Sequence, residues 1–480
     1  MTTALHFPSI APQGAPGQRT VAQPRLQIDV ILQILACDLP LMLGFLAGQP
    51  ILAGNFFLCL LLGFLAYHAA RKQPFQFLSV LCACVPVLTL IRGTLIFFNI
   101  ITALLACGLA WAWFDRKMFS EFWRKKPLHL FIAATVVYWF ITFMLTGRYS
   151  GNIRALEWSF SAGVVILLSE RRSFLSTALL GIGISVIAVG IGLMPYGDRL
   201  GMGDVEGVEM GNPIQLGLSG ALVFLLSVAE RGRWLLLQKR PFWRVVIGVA
   251  CGTLCVMSTS RGSWLVVVTA ILVLVLLDAK ARLPVLVSLA VLGVVGNVLL
   301  DSSRGQNVQK YLNKIINPDS SIESKTGGRS DQWKAFPELF SDSPIWGFGP
   351  GSGVDVSRHY AHRKIPFHSL YLHFGAETGI IGLILLALFL KELIGKGITQ
   401  RRVHHEVVPL MATLGFTVLG LSVIGMDSLG GMWIGLGLVA GNRGNAWVVR
   451  RVIVGARREQ SSSLADKTLA DKTGVGRSVA

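Results

Sequence analysis

Two ionisable side chains stand where apolar segments begin, and both are suited to the chemistry of phosphate esters. Arg261 lies in the hydroxyl-rich stretch 258–263, directly before one apolar segment, and His368 follows Phe367 at the start of another. The planar guanidinium of arginine donates paired hydrogen bonds to phosphate oxygens, and a neutral imidazole accepts a proton. We therefore interpret Arg261, with Ser260 beside it, as a phosphate-binding candidate and His368 as a candidate base.

Two further arginines lie in loops that precede apolar segments. Arg329 follows two glycines, and Ser330 or Asp331 after it would cap a helix that also carries Trp333. Arg199 lies in a glycine-containing loop further back in the chain. An arginine in such a place can instead extend to lipid headgroups or be solvated, and this alternative stays open for each. We predict that both arginines join the first in binding phosphate, with Trp333 in support.

The expected position of His368 at a helix start favours the neutral imidazole, because the positive end of the helix dipole disfavours a second positive charge. His373 and Glu377 follow it and share one helix face, since they are four residues apart. Glu377 would lie about 13 Å beyond His368. A carboxylate in an apolar segment indicates function, but a structural pair with His373 explains it equally well. We keep both as candidate supporting residues.

A cluster of four histidines raises the alternative of a metal site. The four are His359, His362, His368 and His373. Their spacing matches no standard zinc motif, in which histidines alternate at fixed intervals with cysteine or carboxylate ligands. We therefore predict no metal and no other cofactor.

The composition indicates an all-α integral membrane protein. Of the 480 residues, 52% are hydrophobic and only 15% are charged, and the apolar residues form long uninterrupted runs. Such runs cross a hydrocarbon core of about 30 Å as helices, which satisfy their own backbone polar groups. We predict a polytopic helical bundle of about 12–14 transmembrane helices. The predicted spans are 28–47, 51–69, 75–91, 94–114, 127–146, 155–169, 173–193, 213–229, 243–258, 263–279, 283–300, 368–390, 406–424 and 427–441.

The basic residues between these spans fall on one side of the predicted bundle, which the positive-inside rule assigns to the cytoplasm. The net charge of +18 is then explained by topology and by attraction to anionic membrane lipids, so it does not indicate a nucleic-acid partner. Both termini are predicted to be cytoplasmic. The candidate residues all fall on the opposite, outward side.

Taken together, the motifs resemble the bacterial O-antigen ligase and O-antigen polymerase superfamily over about residues 195–385. The resemblance rests on Arg261 with Leu265, on Gly328-Arg329 followed by Trp333, on the glycine- and tryptophan-containing stretch 344–351, and on a histidine motif. In that last motif, His368 begins a His-Ser-Leu-Tyr-Leu sequence and Gly379 follows eleven residues after it. Many members of the superfamily have asparagine after this histidine, where the present chain has Ser369.

The resemblance implies a membrane glycosyltransferase with a GT-C-like fold, in the bacterial inner membrane and with its active site facing the periplasm. The implied reaction transfers a glycan from undecaprenyl diphosphate to lipid A core, which is the O-antigen ligase step of lipopolysaccharide biosynthesis. It also implies that the outer arginines bind the diphosphate and that His368 is catalytic. The expected mechanism is metal-independent and inverts the anomeric centre.

Two alternatives remain at this point. A polymerase of the same superfamily would join one lipid-linked repeat of an O-antigen or exopolysaccharide to another. A transporter or flippase for a lipid-linked sugar would instead carry ionisable residues near mid-membrane and related half-repeats, neither of which stands out in the sequence.

The predicted organisation has five parts. Residues 1–27 form a disordered cytoplasmic tail, 28–300 a transmembrane bundle, 301–367 a large periplasmic loop, 368–445 the C-terminal transmembrane helices, and 446–480 a basic, disordered cytoplasmic tail. Because a loop as long as 301–367 is uncommon without structure of its own, we expect short helices in it, near 307–316 and 330–339.

Overall fold

A computed structural model describes residues 26–88, 126–146, 168, 171–196, 203–205, 208–210, 213–300, 302–317, 329–363 and 367–421. The described residues are mainly helical. The helices are α1 (Ile28–Leu46), α2 (Pro50–Ala70), α3 (Pro74–Leu88), α4 (Lys126–Thr146), α5 (Arg172–Gly192), α6 (Pro213–Val228), α7 (Pro241–Met257), α8 (Arg261–Leu277), α9 (Arg282–Leu300), α10 (Ser303–Ile316), α11 (Arg329–Asp342), α12 (Gly353–Tyr360), α13 (Leu370–His404) and α14 (Val408–Leu419). Short 3₁₀ helices occupy Ala229–Leu235 and Ala279–Ala281.

The prediction of an all-α polytopic membrane protein is confirmed. Six described helical segments are long and apolar enough to cross a membrane, and further apolar helices are somewhat shorter. Every predicted span on described residues coincides with a helix, although α13 continues to His404, well past the predicted end at 390. The predicted spans 94–114, 155–169 apart from Leu168, and 427–441 lie outside the described residues, as do Arg199, residues 1–25 of the first predicted tail and all of the second.

One element was not predicted. Gly203–Val205 and Val208–Met210 form a small antiparallel hairpin in the loop between α5 and α6, with Asp204 opposite Glu209. The strands are three residues long, so their sequence carries too few alternations for a period of two to be recognised.

Burial differs among the helices in the way a membrane bundle requires. Nearly all of α6 is buried, and it packs against α7, α8 and α5 at the centre of the fold. On α9, by contrast, Leu283, Val294 and Val298 are 70%, 65% and 72% exposed. Exposed aliphatic side chains in such numbers are expected where a helix faces lipid.

The long loop has structure of its own, as predicted, in α10 and α11, and α12 is an additional helix. Leu339, Val356 and Phe367 of the loop pack with Leu372 and Ala376 in a hydrophobic cluster separate from the main core. Helices α11 and α12 therefore rest on the first turns of α13, whereas α10 packs against α9 and α7. Ser330 and Asp331 lie inside α11 rather than capping it, because the helix already begins at Arg329.

The bundle has two ends, which we name after a residue at each. The His368 end contains the starts of α8 and α13 and the end of α14. The Arg401 end contains the segment 278–281, the end of α13 and the start of α14, whose residues line one cavity. Helices α8 and α14 thus run antiparallel.

Candidate functional site

Helix α13 is interrupted at Gly379, which separates a short first segment from the rest of the helix. Gly379 has φ +63° and ψ −157°, a conformation open almost only to glycine. The position that a Cβ would take there lies 2.3 Å from the carbonyl oxygen of Ile345. Both the backbone conformation and the close approach of the loop therefore require glycine.

The loop residues 344–349 replace the helical hydrogen bonds that this interruption breaks. The amides of Phe348 and Gly349 donate to the carbonyls of Ala376 and Glu377 at 2.8 and 3.0 Å. The amide of Ile380, just past the interruption, donates to the carbonyl of Pro344 at 2.8 Å. The Tyr138 hydroxyl of α4 donates to the carbonyl of Thr378. Since unpaired backbone groups are costly to bury, this pairing holds the loop firmly against α13.

His368 immediately precedes the N-cap of α13. Ser369 is the cap, and its hydroxyl accepts from the amide of Leu372 at 3.5 Å. The amide of Leu370 and the hydroxyl of Ser369 both donate to the carbonyl of Gly420, at 2.8 and 3.3 Å, so the start of α13 is tied to the end of α14. Ser369 therefore caps α13 in this chain, where many members of the superfamily have asparagine.

Gln332 connects His368 to the loop helices. Its side-chain oxygen accepts from the His368 amide at 2.9 Å, and its side-chain nitrogen donates to the hydroxyl of Ser357 at 3.2 Å. Gln332 is 1% exposed. Arg329 lies one helical turn before it on α11, so the same hydrogen bonds that fix His368 also fix the helix start that carries Arg329.

The surroundings of His368 favour its neutral form. Burial, and then the positive charge of Arg329, lower the pKa of His368 to about 4. Its Nδ1 atom is buried without a hydrogen-bond partner among the described residues. Near neutral pH the imidazole is therefore uncharged and can accept a proton.

His373 and Glu377 form the structural pair that their spacing predicts. His373 Nε2 lies 3.3 Å from Glu377 Oε1, and the same oxygen accepts from the Gly353 amide at 3.0 Å. Both side chains are almost fully buried, with 4% and 1% exposure. A Cβ on Gly353 would lie within 3.0 Å of side-chain atoms of both residues. The backbone at the start of α12 therefore packs directly against the pair, with no room for a side chain at this position. The pair thus anchors α12 to α13.

Arg261 is the first residue of α8, and Ser260 is its cap. The Ser260 hydroxyl accepts from the Ser263 amide at 3.4 Å and from the Ser263 hydroxyl at 2.9 Å. The Ser263 hydroxyl also lies 3.4 Å from the carbonyl of Ile214 on α6. Ser258 and Thr259 of the same turn are buried as well, whereas Arg261 is half-buried. Ser260 is therefore a helix cap, and its support of phosphate binding stays a prediction.

Helix packing puts Arg261 and His368 at the same end of the bundle. Cγ1 of Val266 on α8 lies 3.2 Å from the position that a Cβ on Gly415 of α14 would take. Because these helices are antiparallel, Arg261 and Gly420, each five residues from that contact, are displaced about 7.5 Å in the same direction. Gly420 is the residue that holds the start of α13. Both helix starts therefore lie at the level of the end of α14.

Of the two remaining candidate residues, the structure describes only Trp333. Trp333 is 44% exposed, and Arg199 lies outside the described residues. Within the described part of the chain, no group of three or more histidine, cysteine, aspartate or glutamate side chains is arranged to hold a metal ion. Gln332 was missed by sequence reasoning, because a glutamine in an amphipathic helix carries no signal of its partner 36 residues away.

Comparison with known families is consistent with this geometry. Residues 246–387 match the family described as O-antigen ligase. The matched segment includes Arg261, the long loop with Arg329, and the α13 residues as far as Glu377 and Gly379, but it does not include Arg199. No curated protein matches the chain. The predicted resemblance to the O-antigen ligase and polymerase superfamily is confirmed by this segment, and the family implies glycosyl transfer from lipid-linked glycans in general.

Proposed function

We propose that this chain, which carries an O-antigen ligase domain over residues 246–387, transfers a glycan from undecaprenyl diphosphate to lipid A core. The reaction takes place at the His368 end of the bundle, which we assign to the periplasmic face of the inner membrane. Support for this orientation comes from the basic residues that cluster between the helices at the opposite end.

The observation that carries the proposal is a buried histidine whose backbone is tied to the loop helix that begins with an arginine. Gln332 joins the two elements, and the charge of Arg329 contributes to the low pKa of His368. A base beside a fixed cation is suited to a reaction in which a hydroxyl loses a proton while an anionic group departs nearby.

In the proposed mechanism the donor supplies its own activated leaving group. Arg261 and Arg329, with Arg199 as a third candidate, hold the diphosphate by paired hydrogen bonds and neutralise the charge that grows on it as the glycosidic bond breaks. The acceptor hydroxyl forms the new bond to the anomeric carbon from the opposite side, which inverts that centre. Its proton passes to His368, for which we assign Nε2 because Nδ1 is buried. No metal is needed for charge neutralisation when arginines perform it.

The remaining polar residues position this machinery. Glu377 and His373 hold α12 against α13, and Ser260 caps the helix that begins with Arg261. A bound diphosphate would offset the charge of Arg329 and so raise the pKa of His368, making it a stronger base once the donor is present. Proton acceptance would then be coupled to donor binding.

The test is transfer by the purified full chain in detergent, given undecaprenyl-diphosphate glycan and lipid A core. His368→Ala is expected to slow transfer by about 10²- to 10⁴-fold, the usual contribution of a general base. His359→Ala is the matched control, because His359 lies exposed in the same loop region with its ring against Tyr360. Gel and mass analysis would identify the product.

Transfer at a near-normal rate by His368→Ala would remove the residue from the mechanism. Longer glycan still attached to undecaprenyl diphosphate, with none on lipid A core, would show a polymerase of the same superfamily instead of a ligase. If the wild-type chain forms neither product, the proposal of glycosyl transfer is wrong and lipid-linked sugar transport becomes the better explanation.

A further inference from the structure

A second polar site lies at the Arg401 end, opposite the proposed active site. A cavity of about 810 Å³ opens there between three segments, 228–238, 277–281 and 401–407, the last of which includes the end of α13. Its volume falls within the usual range for ligand sites. The lining contains five arginine or lysine side chains and two carboxylates; the cations are Arg231, Arg233, Lys280, Arg401 and Arg402.

The two carboxylates are already occupied by hydrogen bonds to protein. Glu230 accepts from the amides of Val407 and Val408 at 2.9 and 3.3 Å and from the indole of Trp234 at 3.0 Å. Asp278 accepts from the amide of Lys280 at 3.0 Å. These bonds hold the walls of the cavity together but leave its positive charge in excess.

The excess cations stand apart from acidic partners. Arg233 shares the buried Glu406 with Arg172, at 3.5 and 3.0 Å. Across the described residues, Arg231, Arg401 and Arg402 make no ion pair within 4.0 Å. A concave group of uncompensated arginines attracts an anion with several oxygen atoms, since guanidinium groups bind phosphate bidentately.

Backbone strain in two walls of the cavity supports a binding role. Glu230, Arg231 and Gly232 are consecutive residues with φ of +47°, +55° and +70°, and His405 has φ +55°. Such conformations are uncommon for residues other than glycine and concentrate at functional sites. The positive-inside tendency accounts for basic residues at this end, but it does not account for a cavity with strained walls.

We propose that this cavity binds the phosphate headgroup of an anionic phospholipid. The surface beside it favours a lipid over a soluble phosphate compound, because Leu276, Leu283 and Val403 are 64%, 70% and 43% exposed near the lining segments. Acyl chains would lie against these side chains while the phosphate occupies the cavity. A lipid held in this way joins the three segments and stabilises the bundle independently of the transfer reaction.

The test measures the thermal unfolding of the full chain in neutral detergent during titration with phosphatidylglycerol, phosphatidylcholine or inorganic pyrophosphate. A ligand that binds only the folded protein raises the unfolding midpoint. We expect phosphatidylglycerol to do so, and the double variant Arg401→Gln/Arg402→Gln to weaken its apparent affinity by roughly 10- to 30-fold. Lys239→Gln/Arg240→Gln is the matched control, because it removes two exposed charges nearby that do not line the cavity.

Three results would overturn the proposal. Equal stabilisation by phosphatidylcholine, whose headgroup has the same phosphate but no net charge, would show that the net negative charge of the lipid is not recognised. Equal affinity loss in the two double variants would show a diffuse surface effect instead of a site. Saturable binding of pyrophosphate that displaces phosphatidylglycerol would assign the cavity to a soluble phosphate compound.

Discussion

The two helix starts at the His368 end are built alike but are held in different ways. Each has a serine cap, Ser260 before α8 and Ser369 before α13, and each carries a proposed active-site residue next to that cap. Arg261 follows its cap and belongs to the helix, whereas His368 precedes its cap and stands outside the helix. The Ser260 hydroxyl accepts from Ser263 of its own turn, and Ser263 donates to the Ile214 carbonyl of α6, while the His368 start depends on partners 36 and 51 residues away.

This difference separates local from tertiary control of the site. The turn at Arg261 can form as soon as α8 forms and packs on α6. The His368 start requires α11 to deliver Gln332 and α14 to deliver the Gly420 carbonyl. We therefore expect changes around Arg261 to affect chemistry with little effect on folding, and changes around the loop contacts of α13 to affect folding and chemistry together.

After His368→Ala, the largest effect is expected from Arg261→Ala. Removing one donor that stabilises developing negative charge slows catalysis by about 10²- to 10³-fold. Arg261→Lys should lose less, because it keeps the positive charge but not the planar pair of donors. The measurement is kcat/KM for glycan transfer.

Ser260→Ala is the comparison for that experiment. It removes the cap of α8, at a cost of about 1 kcal/mol in stability, but keeps the guanidinium. Equal rates for Arg261→Ala, Arg261→Lys and the wild type would contradict the diphosphate role. A rate loss in Ser260→Ala as large as that in Arg261→Ala would show that only the helix start matters.

A smaller effect, on stability, is expected from Gly379→Ala. The new methyl group would require a strained backbone conformation and would meet the Ile345 carbonyl, so we expect a loss of about 1–3 kcal/mol and a lower thermal unfolding midpoint. Gly293→Ala on α9 is the matched control, because a Cβ there meets nothing within 4 Å. If both variants unfold at the same temperature, the loop is not held at Gly379 as the backbone contacts indicate.

Sequence reasoning succeeded where the signal is local and stopped where it is tertiary. Each apolar run long enough to span a membrane is a helix where the structure describes it. The spacing of four residues also predicts that His373 and Glu377 lie side by side. The same reasoning could not find Gln332, whose role depends on two partners distant in sequence. Nor could it explain Gly379, since the motif shows that a glycine is there but not that Ile345 lies against it.

The smallest expected effect is on the pKa of His368, which a charge on the loop helix α11 helps to set. Burial is the larger cause of the low pKa of His368 and the charge of Arg329 the smaller. The acid limb of a pH profile is the range in which the rate falls as His368 becomes protonated. In kcat/KM this limb reports the free enzyme, so in the wild type it should lie near pH 4. Activity should therefore persist as pH falls from 7 to 5. The acid limb of kcat should lie at higher pH, because the bound diphosphate offsets the charge of Arg329.

Arg329→Gln removes only the smaller cause, so its acid limb in kcat/KM should move above 4 but stay below the ordinary histidine value of 6.5. Lys334→Gln is the control, because it removes an exposed charge from the same helix without being among the causes of the shift. If the acid limb of kcat/KM does not move in Arg329→Gln, or if it moves equally in both variants, the charge of Arg329 does not lower the pKa of His368. A limb that moves only in Arg329→Gln would support electrostatic coupling between Arg329 on the loop helix and His368.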